Sequence, residues 1–448
     1  MEDTPPLVFD DLVAYLAKGC KPRENWRVGA EHELFAFNRR NLERLPYNGT
    51  PGITDLLHGL MQYGWQTVHE GDVLIGLTRD GAGVSLEPGG QFELSGAQHP
   101  DIHAIYNETQ QYGEELHNVA DDLNIGFLGV GFSPLWSREQ TPVMPKGRYN
   151  IMRPYMAKVG RQGLDMMLRT CTIQTNLDYS SEANMIAKFR TSLALQPIVT
   201  ALFANSPFTE GAPNGYLSKR ANVWTETDPD RTGMPAMVFQ KGFGFEAYTR
   251  YALGVPMYFV KRGHTYIDVS GASFADFMEG KLDILPGERP TLKDWADHLT
   301  TLFPDVRLKT YLEMRGADGG PQSHIAALAA LWVGLLYEQD ALSAAWSLCK
   351  DWSHEEMLQL RQDVAKGAMS AKIQNRTVHA IAKDMVDIAM HGLSRRRRMS
   401  AAGQDETRYL TPLMDIVDSG KTLAELQLDL YNGLWRHDIS RLYQEWAA

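Results

Sequence analysis

The chain has 448 residues, 44% of them hydrophobic, and sets 44 Lys and Arg against 55 Asp and Glu for a net charge of −11. A chain this long buries roughly three quarters of its unfolded surface and needs no staple, while the acidic balance excludes non-specific nucleic-acid binding, which requires a basic footprint. Cys20, Cys171 and Cys349 are too few and too scattered for a disulfide framework or a thiolate zinc site.

The opening MEDTPPLVFDDL lacks the basic and apolar regions of a secretory leader and the Arg/Ser character of a transit peptide. No run approaches the roughly 18 consecutive apolar residues of a membrane span. The expected setting is soluble, reducing and cytoplasmic, with no membrane or nucleic-acid partner. Phe9–Leu16 reads as a short helix that stops near Gly19. Arg27–Phe37 alternates as a strand, Ile53–Tyr63 has helical spacing, and Val73–Leu77 and Ser85–Ser95 are strand-like, the latter around a Pro88-Gly89-Gly90 turn. His103–Leu123 is helical, Met166–Asp178 returns to strand, and Ser181–Leu202 is a long helix ending near Asn205-Ser206-Pro207. Arg307–Arg315 reads as one more strand, and from His324 onward the pattern is helical. Strands this irregularly spaced favour an α+β fold over a doubly wound sheet. No linker divides the chain, so a single catalytic domain over 1–448 is expected, its strand-bearing core at about 21–320 and its helical part at about 324–448.

Several common chemistries are missing. The sequence holds no G-x-x-x-x-G-K-[ST] loop, no H-E-x-x-H pair and no G-x-S-x-G elbow. Gly129-Val130-Gly131 opens like a dinucleotide fingerprint, but Pro134 stands where its third glycine belongs. The basic run Arg395–Arg398 reads as a solvated helix end.

Four strands instead carry polar groups on one face opposite an apolar one. Period 2 puts Glu31 with Glu33, and Gln91 with Glu93 and Ser95. It groups Thr170, Thr172, Gln174, Asn176 and Asp178, and likewise Arg307, Lys309, Tyr311, Glu313 and Arg315. Any one of these is an ordinary half-solvated strand. Together, with Gly-Gly beside carboxylates, they describe a polar concave face. Two carboxylates ~4 Å apart repel by about 4 kcal/mol at an effective dielectric of about 20. Crowding Glu31, Glu33, Glu87, Glu93 and Glu313 therefore requires protonation or cations, and Mg²⁺ or Mn²⁺ suits hard carboxylate oxygens. Arg148, Arg169, Arg220, Lys241 and Arg315 would then meet phosphate or carboxylate anions.

The segments Gly29-Ala30-Glu31-His32-Glu33, SLEPGGQFELSG (85–96), MPKGRY (144–149), LDMMLRTCTIQTNLD (164–178), LFANSPFTEG (202–211), DRTG (230–233) and YLEMRGADGG (311–320) resemble the plant and proteobacterial type of glutamate–cysteine ligase. The likeness runs from about Lys21 to Gly320, with a weaker continuation to Leu430-Tyr431-Asn432-Gly433. It implies a glutamine synthetase-like antiparallel sheet forming a funnel, surrounded by helices. It also implies ATP as co-substrate, L-glutamate and L-cysteine as the other substrates, γ-glutamyl phosphate as intermediate, and a monomer or homodimer. By motif, Glu31, Glu33, Glu87, Glu93, Gln174 and Glu313 are the implied Mg²⁺ ligands. Arg148, Arg220, Arg315 and Lys241 are the implied substrate holders, with Arg220 and Arg315 closest to the chemistry. Cys171, on the apolar face of its strand, reads as a buried small hydrophobe rather than a nucleophile. The alternatives are a γ-glutamyl ligase for another amine and a non-catalytic ATP or amino-acid sensor.

Overall fold

The computed structural model describes residues 6–447, so the first residues of the N-terminal segment considered for a leader lie outside it. Nine strands form one antiparallel sheet. They are β1 (Val28–Asn38), β2 (Gln66–Glu70), β3 (Val73–Arg79), β4 (Ala82–Leu86), β5 (Gln91–Ser95), β6 (Ile125–Leu128), β7 (Thr172–Leu177), β8 (Val306–Leu308) and β9 (Leu312–Asp318). The order across the sheet is β8-β9-β7-β1-β5-β4-β3-β2, with β6 also paired to β1. Hairpins and meanders need no crossover helix, which is why the strands are irregularly spaced in the sequence.

Seven helices matter to the site: α1 (Ile102–Leu123), α2 (Gly147–Val159), α3 (Gly163–Arg169), α4 (Glu182–Leu202), α5 (Lys219–Trp224), α6 (Gln322–Leu336) and α7 (Val378–Arg396). Ser181 caps α4 by accepting from Asn184 N, and Asp101 caps α1 by accepting from Ala104 N. α6 is apolar on every side, as a wholly buried helix must be, and it packs against β7, β1 and α7. Val28, Ala30, Ile173 and Leu177, from the back of the sheet, join this core. The other side of the same strands is left for polar groups.

Two expected strands are broken. The stretch expected as strand from Met166 begins as α3, and only Thr172–Leu177 is strand. Arg307–Arg315 is a hairpin, β8 and β9 joined through Lys309–Tyr311, so Arg307 pairs across from Glu313 rather than following it along one face. The alternation of charged and apolar residues is the same on both arms of a tight turn, so period alone hides the reversal. The short strands Lys372–Ile373 and Arg376–Thr377 add a small hairpin to the helical part.

Candidate active site

Register assembles the polar face rung by rung, since residues directly opposite in a ladder share a side. Glu313 lies across from Asn176, Gln174 from Glu31, and Glu31 in turn from Ser95. One step along, Glu33 lies across from Glu93, and Glu93 from Ser85. Farther along β1 the same face carries Phe35 and Phe37, covered by Trp136 and Tyr443. The polar patch therefore has a hydrophobic end wall.

A cavity of about 190 Å³ opens on this patch, lined by Glu31, Glu33, Glu87, Glu93, Gln174, Arg148, Arg220, Arg307 and Arg315. A second, of about 490 Å³, adjoins it; Glu31 and Arg307 line both. The second is edged by Gly81, Gly83 and Gly96, with Arg27, Lys309, Tyr311 and Glu313 among its walls. Arg27 and the glycine edge were not singled out by sequence reasoning. Their only signal was the spacing of small residues across two strands that register brings together.

The carboxylates fall into two electrostatic kinds. Glu313 is 1% exposed and bonded by Arg307 through two guanidinium nitrogens, with Lys309 at 3.7 Å and Arg315 at 3.2 Å. Although burial opposes ionisation, these cations hold it far below the usual carboxylate range. Glu31, Glu33 and Glu93 have no such partner among the described residues. Burial, then repulsion from Glu313 and Glu93, pushes Glu31 up to about 7. Burial and Glu87 push Glu93 up to about 7, against hydrogen bonds from Ser85 (2.8 Å) and Ser95 (3.1 Å). Burial and the charges of Glu87 and Glu93 raise Glu33 well above its ordinary value. Asn176 donates to Glu31 at 2.6 Å and the Thr172 amide to Glu33 at 3.1 Å, which leaves oxygens of both free to face the cavity.

The donor set fits a hard divalent cation: four carboxylates converge, and none has a protein cation within ion-pair distance among the described residues. No three acidic, His or Cys groups close into a preformed cage among the described residues. An open set of this kind matches Mg²⁺, which keeps several waters and shares substrate phosphates.

Arg220 is 3% exposed and sits in the first turn of α5, whose start is fixed by a buried hub. Asp318 accepts from Asn205 N (2.9 Å), Ser206 Oγ (2.6 Å) and Ser218 Oγ (2.7 Å). Ser218 caps α5, and Ser206 accepts from Arg220 N. The Arg220 guanidinium donates to the Arg315 carbonyl at 2.8 Å, while its buried Nε has no protein partner among the described residues. Arg148 enters from the first turn of α2, its Nε likewise buried and free of a protein partner among the described residues.

The structure departs from the sequence-based readings at four positions. Lys241 does not reach either cavity; it is exposed in the turn before Gly242, where a long cation is solvated. The Gln174 amide oxygen already accepts from Arg315 at 2.8 Å, and Glu313 is neutralised by Arg307. Both are thus engaged by arginine rather than open to a metal. Arg169 is buried against Phe132, Asp165 and Glu210, away from the cavity. Cys171 is fully buried, as a small hydrophobe would be. In the basic run, Arg395 pairs with Asp340 and Arg396 with the buried Glu406.

Comparison with known proteins gives the family. Residues 27–445 match the family described as glutamate-cysteine ligase family 2. A chloroplastic glutamate–cysteine ligase of Solanum lycopersicum is 52% identical over 441 residues, covering 98% of this chain and 83% of that protein. The Arabidopsis thaliana counterpart is 51% identical over 443 residues, covering 99% and 83%. Among solved structures, a glutamate–cysteine ligase from Francisella tularensis in complex with AMP aligns with a TM-score of 0.54 at 13% identity, covering 95% of this chain and 90% of that one, a likeness of fold. These relatives overturn the expected cytoplasmic location, since those of Solanum, Nicotiana, Brassica and Arabidopsis are all designated chloroplastic.

Proposed function

The chain belongs to glutamate–cysteine ligase family 2, and from that membership we propose that it couples the γ-carboxylate of L-glutamate to the amine of L-cysteine. ATP drives the reaction, and the products are γ-glutamylcysteine, ADP and phosphate, the first step toward glutathione. The observation that carries the site assignment is one cavity in which four carboxylates without an ion-pair partner among the described residues meet four arginines.

A carboxylate does not acylate an amine until one oxygen is made a leaving group. In this reading a γ-carboxylate oxygen of glutamate attacks the terminal phosphorus of ATP and ADP departs. The cysteine amine then attacks the acyl carbon, phosphate leaves, and the nitrogen gives up its proton. Such a sequence depends on positioning and charge neutralisation more than on covalent help from the protein. Arg148 and Arg220 are assigned to the glutamate carboxylates, with a free Nε on each supporting that role. Arg315, oriented by Gln174 and Glu313, and Arg307, lining both cavities, are placed where a phosphoryl group would pass between nucleotide and glutamate. Mg²⁺, or Mn²⁺ in its place, held by Glu31, Glu33, Glu87 and Glu93, would neutralise the phosphate oxygens. The larger cavity with its glycine edge is assigned to ATP. The whole chain acts as one catalytic unit, supported by the packing of α6 on β7 and β1.

The test is ADP release from Mg-ATP and glutamate with cysteine, 2-aminobutyrate or no amine, with the product weighed by mass spectrometry. Cysteine-dependent ADP with γ-glutamylcysteine is expected. ADP with other amines but not cysteine would overturn the substrate, and no ADP from folded protein would overturn the activity.

A further inference from the structure

Arg44 is 6% exposed, yet no carboxylate lies within ion-pair distance of it among the described residues. Its guanidinium carbon lies 4.8 Å from the centre of the Phe35 ring and 5.1 Å from that of Trp136. Nε and Nη1 are buried with no protein partner among the described residues, and Nη2 donates to the carbonyl of Gly89. Burial lowers the guanidinium to about 10, which leaves it charged at neutral pH. A buried cation without a counter-ion is costly, and one carbonyl needs no charge to be satisfied.

What that carbonyl belongs to gives the reason. Gly89 is the middle of the Glu87–Gln91 bend that aims Glu87 into the carboxylate cavity. The other bonds of the bend are made by neutral groups. Gly90 N donates to Glu87 O (2.8 Å), Glu87 N to Gln91 O (3.0 Å), and Gly89 N to Gln91 Oε1 (2.9 Å). Gln91 Nε2 ties the bend to Thr170 O at 2.8 Å, and Met144 N to Pro88 O at 2.9 Å. A Cβ on Gly89 would fall 2.3 Å from Leu168 O, and Gly90 holds a φ of +77°, so the bend is tightly seated. Arg44 approaches from the aromatic end wall.

We propose that Arg44 is a positioning residue: held against the edge-to-face pair of Phe35 and Trp136, it clamps the Gly89 carbonyl so that Glu87 is set for a divalent cation before one binds. This rests on the reading of Glu87 as a metal ligand. The clamp is a charge-assisted bond from a planar donor whose packing against the two rings restricts its motion. Neighbours that orient a ligand commonly change metal affinity by roughly 10- to 100-fold when removed.

Mn²⁺ binding to the protein without nucleotide, followed by the loss of the free-ion EPR signal, gives a readout separate from turnover. R44M is expected to weaken the tightest Mn²⁺ binding at least about tenfold, with R44K intermediate. E87Q should weaken it comparably, and R44M/E87Q should be no worse than E87Q alone. Unchanged binding in R44M beside weakened binding in E87Q overturns the clamp but keeps the ligand. Additive losses in the double variant also overturn the clamp. Unchanged binding in E87Q overturns the ligand and the clamp with it. Hydrogen exchange on the unaltered protein tests whether the bend is pre-set even if R44M does not fold. Amides of Gly89 and Gly90 protected before Mn²⁺ is added support a pre-set bend, and protection that appears only with Mn²⁺ overturns it.

Discussion

Glu93 and Glu313 face the same side of the sheet but are neutralised by different means. Arg307, Lys309 and Arg315 surround Glu313, whereas Glu93 has two serine hydroxyls and no cation within ion-pair distance among the described residues. Glu93 is therefore the carboxylate that needs an outside cation. Glu93→Gln removes the charge at constant volume. Turnover should fall at least about a hundredfold while the metal-free protein keeps or gains thermal stability. Near-wild-type kcat would remove Glu93 from the metal set. Arg220→Ala should raise the KM for glutamate far more than that for ATP, since Arg220 lines only the smaller of the two cavities. Equal effects on both constants would contradict its assignment. The carboxylates were legible because period 2 put them on one face, and Arg148 and Arg220 only through their motifs. The arginine contacts of Glu313 and Gln174 were not legible, because the arginines that engage them come from a hairpin partner and across a strand pair. Lys241 had nothing but its charge to recommend it.

At the scale of elements, long periodic helices and alternating strands were legible, and reversals were not. α4 ends within a residue of expectation because Ser181 caps one end and Asn205-Ser206-Pro207 follows the other. β8 and β9 were merged because a turn through Lys309–Tyr311 carries neither Gly nor Pro to mark it. The hairpin matters, because it sets Arg307 opposite Glu313. The helical part is tied to the core where α6 and α7 cross at a pair of glycines. A Cβ on Gly392 would fall 1.9 Å from the Gly334 carbonyl oxygen. Gly392→Ala should therefore destabilise the fold by about 1–3 kcal/mol, as overpacking does, read as a lower denaturant midpoint. An unchanged midpoint would show that the two helices part without cost.

For the whole molecule, a sheet with one face in the core and the other lined by carboxylates links stability to metal and pH. Glu31 and Glu93 are raised in the folded state from an ordinary value of 4.5 to about 7. Their contribution in the metal-free protein is present below about pH 4.5 and lost as pH rises through about 7. A bound divalent cation stabilises the same ionised groups. The rise in Tm produced by Mg²⁺ should thus grow between about pH 5 and pH 8, and a rise independent of pH would place the ion elsewhere. The funnel itself was legible only through resemblance, because nine strands drawn from positions 28 to 318 are joined by long-range register that no local pattern records.

The central claim is that this face activates the γ-carboxylate of glutamate by phosphorylating it. Glutamate carrying ¹⁸O in its γ-carboxylate, reacted with ATP and cysteine, tests this through the mass of the phosphate released. Each phosphate should carry a single heavy oxygen taken from glutamate. Unlabelled phosphate accompanying γ-glutamylcysteine would contradict it.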